Sequence, residues 1–447
     1  MRRASLITII ALLGLPSCSG HTLGATPPAP SVGAAAHAKQ RSSPRHLNTT
    51  PIQHVVIVIQ ENRSMNDMFN GYPGALTVTT GLIHTGKRVK LRSEGLETPA
   101  GSNHTLADFL AACDGSPSGQ GCKMDGFDLE SGGKKKAYDY VPQAEVQPLF
   151  DIASQNVLDD EMFQSHVDGS FVAHQYLIAA QAESAVNYPS AQWGCGGPPG
   201  EVVSTITQQR TIGPTESPCF DYQTLGDELD NAGLSWRFYA PQIGKPGDLW
   251  SAYRAISHIY NGPDWKNDVI NPETQFLTDV TNPTNPYLAD VTWITPDYKN
   301  SDHPGSKSAT GPQWVASVVN AVGASTFWSS TVVFVLWDDW GGFYDPVAPQ
   351  YLDYDGLGFR VPMLCASPYA IAGTVNHTPL EFGSILRFVE NNWSLPQLAA
   401  SDARATPADT GCLNYSQKAR PFKHIHTQLP PSYFIHERPS LVPPDTD

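Results

Sequence analysis

The residues Val55-Val-Ile-Val-Ile59 form a continuous β-branched run that stops abruptly at Gln60-Glu61-Asn62-Arg63-Ser64. Apolar residues without alternation fit a strand covered on both faces, as in a parallel sheet. Thr331-Val-Val-Phe-Val-Leu-Trp337 repeats the pattern and ends in Asp338-Asp339-Trp340-Gly341-Gly342-Phe343-Tyr344-Asp345. Further strand-like runs are Leu234–Tyr239, Val291–Ile294 and Val361–Cys365. Segments of helical period separate them. Tyr222–Asn231 precedes Gly233, a residue suited to a helix C-terminus. Trp314–Val322 carries apolar residues at near-3.6 spacing, and Phe171–Ala180 reads as a helix entered through Asp168-Gly169-Ser170. Thr378-Pro-Leu-Glu381 predicts a capping box opening a helix over Phe382–Asn391. Strands alternating with helices predict an α/β fold, a largely parallel central sheet flanked by helices and carrying long loop insertions.

The ends of the chain have a different character. Met1-Arg2-Arg3 followed by the apolar Leu6–Leu15 has the layout of an export signal, too short to span a bilayer. It closes on Leu15-Pro16-Ser17-Cys18, which resembles a lipoprotein cleavage box apart from Pro16. Cys18 is then either lipidated, tethering the chain to a membrane, or incidental to an ordinary cleaved signal. Both readings put the mature chain outside the cytoplasm, in the periplasm, on the surface or secreted. Residues 19–50, rich in Ala, Pro, Ser and Gly, read as a flexible linker, 51–430 as the folded domain and 431–447 as a C-terminal tail. The remaining cysteines are even in number, as disulfides in an exported chain require. Cys113 with Cys122 and Cys195 with Cys219 each enclose a Gly-, Pro- or Ser-rich loop, and Cys365 with Cys412 follows by elimination.

With 447 residues and 40% hydrophobic content there is material for a large core. A formal charge of −15 disfavours nucleic acid or an anionic membrane surface as an electrostatic partner, but a phosphate ester is compatible if a cation inverts the local field. Oxygen donors at two strand ends supply such a place. Ligands in open α/β sheets sit beyond the carboxyl ends of strands, where Glu61, Asn62, Asp338 and Asp339 emerge. Adjacent carboxylates repel unless a proton or cation lies between them. The alternatives are a solvated strand end for Glu61 and Asn62 and an Asp-rich turn for Asp338 and Asp339. Ser170 stands at a helix N-terminus, where free N–H groups favour an alkoxide and a phosphate, although serine is also a common helix cap.

Taken in order, Glu61-Asn62-Arg63-Ser64, Gly169-Ser170, Asp302-His303-Pro304, Asp338–Asp345 and Phe359-Arg360-Val361-Pro362 resemble the bacterial phosphoesterase family that unites phospholipases C with acid phosphatases of the A type, within the alkaline-phosphatase-like superfamily. The resemblance covers roughly residues 51–395. It implies a metal-dependent hydrolase of phosphoric esters. Glu61, Asn62, Ser170, Asp338 and Asp339 would hold one divalent ion, whether calcium, magnesium, manganese or iron, with Ser170 also the nucleophile. His104, His258 and His303 match family histidines that contact phosphate or protonate the leaving group. Serine at 170 and the pair Asp338-Asp339 are more similar to the acid phosphatase branch, where many phospholipases have threonine and Asp-Glu. Asp345 is followed by Pro346 where the family has histidine, and Met65-Asn66-Asp67 replaces the usual Phe-Asp. The leading expectation is a phosphomonoesterase, followed by a phospholipase C and, more remotely, a non-catalytic surface binding protein.

Overall fold

The Val55–Ile59 run lies in a strand, His54–Gln60, buried after its first residue. In the computed structural model the described residues are 48–98, 101–132, 136–190, 193–245, 247–438 and 440. The signal-like segment, Cys18 and the linker up to residue 47 lie outside them. Among the described residues nine strands build the central sheet: β1 (His54–Gln60), β2 (Val157–Phe163), β3 (Trp236–Tyr239), β4 (Val269–Ile270), β5 (Val291–Ile294), β6 (Thr331–Trp337), β7 (Arg360–Ala366), β8 (Thr374–Asn376) and β9 (Leu380–Glu381). Their order is β4-β3-β5-β1-β6-β7-β2-β8, with β9 also on β2. Every pairing is parallel except those of β7, which runs antiparallel to β6 and β2. The sheet is therefore the largely parallel one expected, with a single inverted strand.

Six helices matter for the site: α1 (Gln143–Gln155), α2 (Ser170–Ala179), α3 (Leu225–Ala232), α4 (Gly311–Ala324), α5 (Phe382–Trp393) and α6 (Pro431–His436). They gather in two groups, α4 with α1 and α6, and α2 with α3 and α5. Such flanking layers bury both faces of the sheet, which is why its central strands read as unbroken apolar runs. Trp293 on β5 donates its indole N–H to the Leu177 carbonyl at 2.9 Å and so ties α2 to the sheet. Helix α3 starts at Leu225, later than expected, because Thr224 and Asp227 form its capping box, and it ends at Gly233 with φ 70°.

The box expected at Thr378 does not form. The Thr378 hydroxyl donates to Asn376 Oδ1 (2.8 Å), Leu380–Glu381 extend as β9, and α5 is capped by Glu381 with Ser384, whose Oγ accepts the Glu381 N–H at 2.9 Å. The three expected disulfides are present: Cys113–Cys122, Cys195–Cys219 and Cys365–Cys412. The segment after residue 430 forms α6, with Phe434 buried edge-on to Trp314 at 5.5 Å.

Strand β2 was not legible as a strand, since Val157-Leu-Asp-Asp-Glu-Met-Phe163 places three acids at its centre. Each buried carboxylate there has partners. Asp160 accepts the Leu76 N–H (2.7 Å) and His377 Nδ1 (2.8 Å), while Asp159 accepts the Asn376 amide at 2.6 Å from the adjacent β8. Burial pushes the Asp159 carboxyl up to about 8, with the Asn376 hydrogen bond pulling it back and the Asp160 charge pushing it further. A carboxyl with a raised folded-state pKa contributes stability that is full below its unfolded value and lost as pH rises through the folded one. Asp159→Asn, which mimics the protonated acid, should therefore flatten the fall in stability between about pH 4 and about pH 8. Thermal melts of both proteins across that range check this; parallel profiles would contradict it.

Candidate active site

Strands β1 and β6 run in register, with Gln60 beside Trp337 at their ends. The next residues, Glu61-Asn62 and Asp338-Asp339, therefore leave the sheet side by side. The Asn62 N–H donates to Asp338 Oδ1 at 2.9 Å, and the Asp338 N–H to the Gln60 carbonyl at 2.9 Å. All four side chains are fully buried. Asn62 takes a left-handed turn (φ 58°), and Gly341 crosses it with φ 60°. A Cβ on Gly341 would lie 2.0 Å from the Asn62 carbonyl oxygen, so only glycine lets the two strand ends approach this closely.

Helix α2 delivers the hydroxyl. Gly169 is the cap and Ser170 the first helical residue, so Ser170 does not serve as the cap. Its Oγ instead donates to Asp339 Oδ2 at 3.1 Å and faces Asn62 Oδ1 at 3.4 Å. Asn62 is oriented from its other side, where Nδ2 donates to His104 Nε2 at 2.8 Å. His104 carries its proton on Nδ1, which donates to the Ser102 carbonyl (3.2 Å), and its Nε2 lies 3.5 Å from Asp339 Oδ2. His303 donates Nδ1–H to the Pro304 carbonyl at 2.6 Å and stacks on the buried Trp250 ring. Asn62, His104 and His303 line one cavity of about 160 Å³ together with Ser102, Gly341 and Lys136.

His258 is not brought to this cluster. It is surface-exposed on the short helix Ser257–Tyr260, with Nδ1 held by Asp221 (2.8 Å) and Nε2 by Asp227 (3.0 Å). Burial pulls its pKa down, but those two carboxylates outweigh it and raise it. The sequence expectation for His258 is thus replaced by a role in bracing the cap of α3, since Asp227 is also the third residue of that cap.

One residue escaped the sequence reading. His174 lies one turn after Ser170, on the same face of α2. It is fully buried, with Nε2 3.0 Å from Glu61 Oε1 and 3.7 Å from Asp338 Oδ2. The Ser170–His174 spacing was the available signal. Burial drives the Glu61 and Asp339 carboxyls well above their usual range, and the neighbouring Asp338 charge adds to both. Burial also pushes His174 down to about 4, against the pull of Asp338. Glu61 Oε2 and Asp338 Oδ2 are buried and accept no hydrogen bond among the described residues. Crowded, dry carboxylates with unused oxygens fit a divalent cation, which would relieve both the repulsion and the unmet polarity.

Other residues of the same motifs brace this geometry from outside it. Arg63 donates Nε–H to the Asp302 carbonyl (2.9 Å) and pairs with Asp67 (3.1 Å). Asp345 and Arg360 form a fully buried pair at 2.8 Å, and Asp345 also accepts the Asn66 N–H (3.3 Å).

Against this geometry, the model of the Phosphoesterase family matches residues 52–396, and the chain belongs to that family. Among individual relatives, the non-hemolytic phospholipase C of Pseudomonas aeruginosa is 26% identical over 408 residues, covering 78% of this chain and 55% of that protein. Phospholipase C B of Mycobacterium tuberculosis is 23% identical, covering 85% of this chain and 80% of the relative. Non-specific phospholipase C1 of Arabidopsis thaliana is 24% identical, covering 76% and 65%. The chain spans about half the length of the Pseudomonas relative. Solved structures with a similar trace include a protein in the alkaline phosphatase superfamily from Vibrio parahaemolyticus, 11% identical, covering 78% of this chain and 71% of that one, with a TM-score of 0.36.

The glycine crossing yields a direct test. Gly341→Ala should destabilise the protein by about 3 kcal/mol, the sum of a left-handed alanine and a steric clash. Gly86→Ala, also left-handed (φ 74°) but with open space at its Cβ, should cost only about 1 kcal/mol. Equal losses on denaturant unfolding would show that the crossing does not constrain the site.

Proposed function

We propose that the protein is a metal-dependent phosphoric-ester hydrolase that acts on phosphomonoesters through a phosphoserine at Ser170. The observation that carries this reading is the Ser170 hydroxyl, aimed away from helix capping and toward Asp339 and Asn62. Glu61, Asn62, Ser170, Asp338 and Asp339 would hold the divalent ion. Bound there, such an ion neutralises charge and acidifies a neighbouring hydroxyl. The rest of the chemistry belongs to side chains. Ser170 Oγ forms a bond to phosphorus as the ester P–O bond breaks, and its proton leaves along the hydrogen bond to Asp339. The departing alkoxide takes a proton from a histidine, best His303, whose ring is fixed by Pro304 and Trp250. Water, giving up a proton to the now neutral histidine, then attacks phosphorus as the Ser170 Oγ–P bond breaks, Ser170 Oγ takes its proton back from Asp339, and phosphate is released. His104 holds Asn62 in the orientation that presents its oxygen to Ser170.

The monoester preference is supported by the cavity. Its described lining is small and polar, with Lys136 beside Asn62, His104 and His303, a setting for a compact dianion. Trp193 and Trp250 are buried and offer no exposed apolar approach for acyl chains. Phospholipase C is the second reading, and it is favoured by the relatives, which are phospholipases C. Export, with or without a lipid at Cys18, is part of the proposal and is supported by the three disulfides, which belong to oxidising compartments. Among the described residues no helix is long and apolar enough to cross a membrane.

Two assays test the reading. Wild type should hydrolyse p-nitrophenyl phosphate faster than p-nitrophenyl phosphorylcholine, and Ser170→Ala should lower kcat at least about 10³-fold. A preference for the choline diester would move the assignment to phospholipase C. Among the histidines, His303→Ala and His104→Ala should each lower kcat by about 10²-fold, whereas His258→Ala should leave it within about twofold. Equal losses at all three positions would contradict the placement of His258 outside the site.

A further inference from the structure

We infer that His174 is a nitrogen ligand of the site's metal ion and that it turns the site's preference from calcium and magnesium toward manganese- or iron-type ions. The inference rests on the metal-dependent reading above and extends it to a residue that reading does not use. One nitrogen of His174, one oxygen of Glu61 and one oxygen of Asp338 all lie within 4.8 Å of one another. The His174 Nε2 distance of 3.0 Å to Glu61 matches an edge of a coordination polyhedron, since donors about 2.1 Å from an ion at right angles are about 3 Å apart, and the 3.7 Å to Asp338 fits a wider angle between donors.

A hydrogen bond alone explains the arrangement less well. One Nε2–H can serve one of the two carboxylates, and it leaves Glu61 Oε2 and Asp338 Oδ2 buried without partners. A shared cation satisfies both. Metal-binding imidazoles are normally held in orientation by a hydrogen bond at the other nitrogen. Here Nδ1 has none among the described residues, and the ring is instead wedged edge-on against the buried Trp193 at 5.9 Å. Helix α2 therefore supplies Ser170 to Asp339 and Asn62 and, one turn later, His174 to Glu61 and Asp338. An imidazole among oxygen donors suits first-row transition ions, while calcium and magnesium favour oxygen alone.

The test loads purified protein with Mn(II) and reads pulsed electron paramagnetic resonance, which reports directly bonded nitrogen, alongside competition titrations against Mg(II) and Ca(II). Wild type should show coupling to one imidazole nitrogen, and His104→Ala should retain it. His174→Gln should lose the coupling and bind Mn(II) at least about tenfold more weakly, with Mg(II) binding changed less. Coupling that vanishes in His104→Ala, or is absent from Mn(II)-loaded wild type, would overturn the assignment without needing any His174 variant to fold. Coupling and Mn(II) affinity that persist in folded His174→Gln would overturn it too. Wild type that binds no Mn(II), Mg(II) or Ca(II) would instead remove the metal reading on which the inference stands.

Discussion

The in-register parallel pairing of β1 with β6 is the constraint on which the site depends. Seven successive partners, from His54 with Thr331 to Gln60 with Trp337, fix which residues emerge together at the carboxyl edge. A slip of one residue would turn each side chain to the opposite face of the sheet and separate Glu61-Asn62 from Asp338-Asp339. The register is held by core burial on both faces and closed at its end by the Asn62 N–H on Asp338 and the Gly341 crossing. Placement of the chemistry is thus a by-product of strand packing.

That placement has an electrostatic cost. Glu61, Asp338 and Asp339 are fully buried, and burial together with the neighbouring Asp338 charge raises the affinity of Glu61 and Asp339 for protons. Buried charges of one sign persist when a counter-ion or a proton is shared among them. The unused carboxylate oxygens of Glu61 and Asp338 suit a cation in that role. Motif residues outside the acidic cluster still brace it. The Asp345–Arg360 pair links the turn after β6 to the inverted strand β7, and Arg63 ties the end of β1 to the loop that carries His303.

Much of this was legible in the sequence because burial on both faces writes itself as uninterrupted apolar runs. β1 and β6 and the acids at their ends follow from that rule, and so does the reading of α2 as the helix behind Ser170. Where polar groups are satisfied by distant partners, the pattern was silent. Strand β2 was hidden by Asp159, Asp160 and Glu161, two of which are matched by Asn376, His377 and Leu76 elsewhere in the chain. Thr378 carried a local cap signal that lost to strand pairing by Leu380–Glu381. His174 looked like one more residue of an apolar helix, since nothing nearby in sequence shows that Glu61 and Asp338 face it. His258 matched a family position yet is engaged by Asp221 and Asp227 on the surface.

The central claim is that Ser170 becomes covalently phosphorylated. Rapid acid quench of a single turnover with p-nitrophenyl phosphate, followed by phosphopeptide mapping by mass spectrometry, addresses it directly. The account predicts a transient phosphate on Ser170, rising with the release of nitrophenol and decaying as free phosphate appears. Stoichiometric product release with no phosphopeptide at any time, or with the phosphate on another residue, would contradict it.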